Sequence, residues 1–288
     1  MVEGVPPTRP QGLANPTTGS RKAMEQDEQT QRYQFGRRTW SIAIGVVLMV
    51  CACLWYMLRD TSSNLPDFSR FEQTSELKTA FFSYLEPIVE RQNEALREQR
   101  SALKTIAAEF EADGSIGLYH RWRLNRLAET YGVPEGLDTG KTIQTLLLRI
   151  DIVPLELAAV QAAKESAWGR SRFAVQANNL FGHWCFTPGC GVVPSNRGAG
   201  QHHELKAYDS VSEAIANYML NLNTHPKYLK FRQLRAQLRE AEERLSGMAL
   251  AEGLLYYSER REAYIREIKA MIGQYREFTS ETEGRAQT

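Results

Sequence analysis

The sequence lacks a dominant charge. Lys and Arg number 35 against 34 Asp and Glu, a formal balance of +1, and no stretch interleaves dense basic residues with aromatics. Nothing would therefore steer the chain to nucleic acid, which is excluded as a partner. Internal repeats are absent, and with them any solenoid or array architecture. Alternating strand patterns are scarce, and cysteines number only four. What is present, 42% apolar and 24% charged residues over 288 positions, is neither disordered nor fibrous overall. It suits one domain of roughly 200 residues with appendages.

The strongest compositional feature is the uncharged run Trp40 to Leu58, WSIAIGVVLMVCACLWYML. At about 1.5 Å per residue it is long enough to cross a bilayer core, and the expectation is one transmembrane helix over 39–59. A cleaved signal peptide would have a shorter apolar run nearer the chain start, and Val50-Cys51-Ala52-Cys53 fits a lipoprotein site poorly. Arg21, Lys22, Arg32, Arg37 and Arg38 precede the run. By the positive-inside rule they keep the N-terminus in the cytoplasm and place everything after Arg59 on the outer face of the inner, cytoplasmic membrane. Residues 1–38, rich in Pro, Gly, Thr, Gln and charge, read as a disordered cytoplasmic tail. Cys51 and Cys53 fall inside the span as small apolar residues. Cys185 and Cys190, in WCFTPGCG, lie in a compartment this topology makes oxidising, so a short-loop disulfide is the favoured reading.

After a linker over 60–74, apolar residues Leu77, Phe81, Leu85, Ile88 and Val89 recur at helical spacing, predicting a helix from about Ser75 to Phe110. Further helices are expected from Leu118 to the stop at Gly132 and Pro134, from Asp138 or Thr139, and from Pro154 in a first-turn position. Short strands joined by turns such as Pro188-Gly189 fit only Asn178 to Ala207. Helices resume at Ser212, from about Tyr228 to Glu243, and from Met248 to Tyr275, with a short tail at 281–288. The expected fold is mostly α, a helical domain over 75–280 with a core at 118–237 and a small inserted β-hairpin lobe.

The segment VPLELAAVQAAKESAWGRS is almost wholly small and apolar up to Ala163, as in a helix packed on nearly every side. Gly169 suits a C′ position, which puts Glu165 in the last turn. There the negative end of the helix dipole and an aromatic wall supplied by Trp168 would disfavour its anion, raising its pKa as a general acid requires. The alternative is an exposed Glu paired with Lys164 or Arg170.

AAKESAWGRS, NNLFG at Asn178 to Gly182, a turn at Tyr208-Asp209-Ser210 and NYMLNLNTHPKY follow one another in an order that resembles the bacterial glucosaminidase domain of the lysozyme superfamily. The WCFTPGCG element is similar to that of its Bax-type branch. The resemblance implies a lysozyme-like fold and a hydrolase of peptidoglycan glycan strands that works without a cofactor, cleaving the β-1,4 bond after N-acetylglucosamine. It implies Glu165 as the acid, and Asn179, Leu180, Phe181 and Gly182 as the floor of the sugar cleft. Trp168 and Tyr208 join them as substrate contacts, and Tyr218 stands beside the reacting sugar. Leu180 and Phe181 are equally compatible with a tight turn over the core, and Tyr218 with core filler. For the second carboxylate the resemblance offers Glu204, with Asp209 as a rival better suited to a turn or cap; a substrate acetamido group could replace both. His183, Cys185, Cys190, His202 and His203 gather in one region, but their spacing is loose for zinc and a disulfide would consume both thiolates, so no metal is expected. His202 or His203 would then line the cleft or face water. Two other readings are a lytic transglycosylase and a glycan-binding wall module that does not cut.

Overall fold

The structure, a computed structural model, describes residues 46–50 and 65–286 apart from Asn196 and Ala199. The expected cytoplasmic tail, most of the expected membrane span and the first third of the linker lie outside the described residues. Residues 46–50 are helical and exposed, and no described helix is long and apolar enough to cross a membrane. The folded unit from residue 65 onward is a helical assembly around α1 (Thr74–Asp113), a 40-residue helix about 60 Å long. Its buried face, from Leu77 to Ile106, packs against α3 (Thr139–Arg149), α4 (Leu155–Glu165) and α6 (Val211–Thr224). α2 (Leu118–Thr130) leans on α1 and α3. α4 lies at the centre: every residue from Leu157 to Ala163 is buried, and its small side chains admit α9 (Glu262–Ala286) as well as α1. The residues expected to link contribute to the core, because Phe68, on a 3₁₀ turn at Phe68–Arg70, is 2% exposed and packs on Phe81.

Helix starts follow local chemistry. Asp138 accepts the amide of Lys141 to open α3, Ser171 that of Ala174 to open α5 (Arg172–Ala177), and Ser210 that of Glu213 to open α6. Three expectations change. The stretch from Met248 to Tyr275 is broken rather than continuous: after α7 (Leu229–Glu240), α8 covers only Gly247–Leu250, followed by a 3₁₀ turn at Ala251–Leu254 and irregular chain before α9. Gly253 lies so close to Phe231 that a Cβ would sit 2.3 Å from the Phe231 Cα, and this close crossing forces the chain to turn. Pro154 is the cap of α4 rather than a first-turn residue. The β lobe is a three-stranded antiparallel sheet, not a hairpin: β3 (Glu204–Lys206) lies between β1 (Trp184–Cys185) and β2 (Gly191–Val192), pairing Cys185 with Glu204 and Val192 with Leu205. Gly191 permits this order, since any Cβ there would overlap the Leu205 carbonyl.

Candidate active site

Glu165 is the last residue of α4, and the chain leaves it through Ser166, which caps the helix, and three residues in the left-handed region. Gly169 (φ 75°) is the third of these, after Ala167 and Trp168, rather than the residue that ends the helix. A Cβ at Gly169 would lie 2.5 Å from Phe68, so only glycine fits. This reversal turns Trp168 away onto Phe81 and Phe82, with ring centroids at 5.7 and 5.3 Å. The aromatic surroundings of Glu165 come instead from tyrosines. Tyr264 of α9 lies within electrostatic reach of it, as do Tyr218, Tyr228 and Tyr257.

A directed chain of hydrogen bonds leads toward the carboxyl group. Tyr218, fully buried, donates its hydroxyl proton to Gln161 Oε1 at 2.6 Å, and Gln161 Nε2 donates to the Tyr264 hydroxyl at 2.8 Å. Tyr264 then has its own proton left for Glu165. Tyr218 thus reaches Glu165 only through Gln161 and Tyr264. Burial raises the Glu165 pKa above its ordinary 4.5, outweighing the Tyr264 hydrogen bond and the charge of Lys164, which both lower it. Lys164 itself is tied to Glu267 at 2.6 Å. Glu165 Oε1 is buried and has no partner in the protein.

The NNLFG turn divides its labour. Asn179, 2% exposed, donates to the carbonyls of His183 and Lys206, both at 2.9 Å, and braces the β lobe against α5. Leu180 is wholly buried, while Phe181 stacks on Tyr218 with centroids 4.0 Å apart. Phe181 and Gly182 also line a cavity of about 270 Å³, together with His183, Trp184, Tyr228 and Tyr257. Tyr208 is buried and bonds both Asn217 and His183. Glu204 faces elsewhere: its two oxygens accept the amides of Gly189 and Gly191 at 3.1 and 2.9 Å, which hold its pKa below the usual value. Asp209 is exposed; Ser210 makes the cap, and the Asp209 amide donates to Glu213. Cys185 and Cys190 form the disulfide, with Cα atoms 6.2 Å apart, so their cluster with Glu204 offers no thiolate to a metal. His203 stacks on Trp184 at 4.2 Å, and His202 is exposed.

A larger cavity, about 960 Å³, lies against α1 and the end of α9. Its charges are largely spent on one another, Arg276 on Glu156, Arg97 on Glu90 and Arg239 on Asp151, so it lacks the unmet polar atoms found beside Glu165. The sequence reading did not single out Gln161, Tyr264, Tyr257 or Tyr228. Gln161 carried a signal, being the polar residue amid the apolar run of a helix packed on all sides, one turn before Glu165.

The family model described as mannosyl-glycoprotein endo-beta-N-acetylglucosaminidase matches residues 140–277, which contain α4, the NNLFG turn, the β lobe and Tyr264. Protein bax of Escherichia coli (strain K12) is 36% identical over 211 residues, 73% of this chain and 74% of that protein. No solved structure matches the chain.

Proposed function

This chain is a Bax-type member of the glucosaminidase family, and from that membership we propose that it hydrolyses the β-1,4 bond after N-acetylglucosamine in peptidoglycan, with Glu165 as general acid. One observation carries the reading: Glu165 Oε1, at the end of a helix buried from Leu157 to Ala163, is itself buried and without a protein partner, and so is available to a reacting atom. The raised pKa of Glu165 favours the protonated form that donation to the leaving oxygen needs. Water then attacks the anomeric carbon. Because both Glu204 oxygens hold the disulfide loop, the substrate's own acetamido oxygen is the better source of charge stabilisation on the opposite face of the sugar. The chain is further proposed to be anchored in the inner membrane by residues 39–59, with the catalytic unit on its outer face. The uncharged run Trp40 to Leu58 and the Cys185–Cys190 disulfide both favour that placement.

The test is digestion of purified peptidoglycan by the full chain in detergent, beside Glu165→Gln, with borohydride reduction and mass spectrometry of the new ends. Reduced N-acetylglucosamine ends that vanish with the variant are expected. Anhydro-muramic ends would replace hydrolysis with transglycosylation, and glycan binding with no new ends would leave a non-catalytic wall module.

A further inference from the structure

His183 begins the β lobe, and the residue is among those lining the 270 Å³ cavity, its ring stacked beside that of Phe181, another lining residue. The hydrogen bonds around it fix its tautomer. The Tyr208 hydroxyl donates its single proton to Asn217 Oδ1 at 2.9 Å. It therefore has none left for His183 Nδ1, which stands 2.8 Å away, so Nδ1 must be the donor of that pair. A neutral imidazole carries one N–H. Nε2 is consequently a bare lone pair, buried and without a partner in the protein. The ring cannot easily turn to exchange the two nitrogens, because it lies roughly parallel to Phe181 (5.8 Å, 23°) and Tyr218 (6.5 Å, 21°). Burial, with a smaller contribution from Lys206, holds its pKa down to about 4, so it is neutral at neutral pH.

A locked acceptor selects a donor. Leaving a buried acceptor unpaired is costly, a cost that a ligand with an N–H at the right place removes and an isostere without it does not. A cationic donor is opposed by the same burial and by Lys206. Aromatic walls from Phe181, Trp184, Tyr228 and Tyr257 offer the apolar contact that an acetyl methyl and a sugar face require. We propose that His183 is a specificity-determining residue whose Nε2 accepts a hydrogen bond from the acetamido N–H of an N-acetylhexosamine. This rests on the glycan-cleaving reading and deepens it.

Binding of an N-acetylglucosamine tetramer is compared with that of its isostere bearing 2-acetoxy groups, which lack only the N–H. The full chain carrying Glu165→Gln is used so that neither ligand is consumed. A preference of about tenfold or more for the acetamido ligand is expected, and it should disappear in His183→Phe. Nitrogen-15 spectra of the unsubstituted chain provide a check independent of that variant's folding: a proton on Nδ1, none on Nε2, and an Nε2 signal that moves on adding the acetamido ligand alone. Equal preference with and without His183, or a proton on Nε2 in the free protein, would overturn the assignment. If the chain still yields reduced N-acetylglucosamine ends from peptidoglycan in that event, only the role of His183 falls. If it neither binds the tetramer nor cuts, the parent reading falls with it.

Discussion

The two ends of α4 meet buried polar groups in opposite ways. At the N-terminal end Arg235, 1% exposed, donates to the carbonyls of Leu148, Arg149, Asp151 and Ile152 and to Asn223 Oδ1, while the Asp151 carboxylate receives Arg239 at 2.9 and 3.1 Å. Asn93 bonds both the amide and the carbonyl of Val153 in the same segment. At the other end the hydrogen bonds Tyr218–Gln161–Tyr264 lead toward Glu165, whose Oε1 has no partner, and His183 Nε2 is another such atom. The first arrangement spends its polar atoms on itself and fixes the start of the helix. The second leaves some unmet, at a cost in stability, as the proposed glycan site requires. Rigid placement at one end makes the unmet polarity at the other specific in position.

Substitutions at the two ends should therefore separate activity from stability. The largest effect is expected of Glu165→Gln, which should lower glycan cleavage by about 10²–10⁴-fold in a reducing-end assay. It should also stabilise the fold at neutral pH. With a folded pKa raised above 4.5, Glu165 binds more protons folded than unfolded, so its contribution to stability declines as pH rises from 4.5 through the raised value. The gain in Tm should accordingly shrink toward acid pH, and a Tm gain that grew there would contradict the desolvation of Glu165. Arg235→Met should do the reverse. It removes the guanidinium, leaves several carbonyls unpaired and weakens the charge balance around Asp151, costing about 3–5 kcal/mol in urea unfolding. Whatever fraction remains folded should retain its pH profile.

Tyr264→Phe sharpens the contrast further. It deprives Glu165 of the hydrogen bond that favours its anion, so the basic limb of kcat should move to higher pH. It also strands the Gln161 amide, for about 1–3 kcal/mol of stability. An unmoved limb would separate Tyr264 from the acid's titration. Glu204→Gln should matter least. Its folded pKa is lowered, so its contribution to holding the disulfide loop is present above 4.5 and lost as pH falls through the folded value. Activity at neutral pH should stay within about one order of magnitude of wild type, well short of the loss a reacting carboxylate would give. A loss equal to that of Glu165→Gln would restore Glu204 as the second carboxylate.

How far the fold could be read from the chain follows the range of the forces involved. Helix starts at Asp138 and Ser210 are set by a side chain reaching three residues ahead, and the periodic apolar face of α1 is local as well. The break between Leu254 and Glu262 is not, because it depends on Gly253 meeting Phe231 some twenty residues away in sequence. Nor is the strand order, which depends on Leu205 passing close to Gly191. In the site, Glu165 stood out because a helix of small apolar residues ends in an acid. Tyr264 is 99 positions later, on a helix whose pattern marks it only as core. Arg235 shares a helix face with Phe231, four positions before it, but the carbonyls on which the burial of its guanidinium rests lie more than eighty positions earlier, where no local pattern announces them.

Under the anchoring proposed above, Phe68 acquires a mechanical meaning. It precedes every numbered helix, packs on Phe81 at 5.3 Å, and occupies the space against Gly169 that a Cβ would need, four residues beyond Glu165. Tension arriving along the chain from upstream would load Phe68 before it loaded any of those helices. The first part of this region to feel a pull is thus the left-handed reversal that follows Glu165, ahead of the helical body behind it.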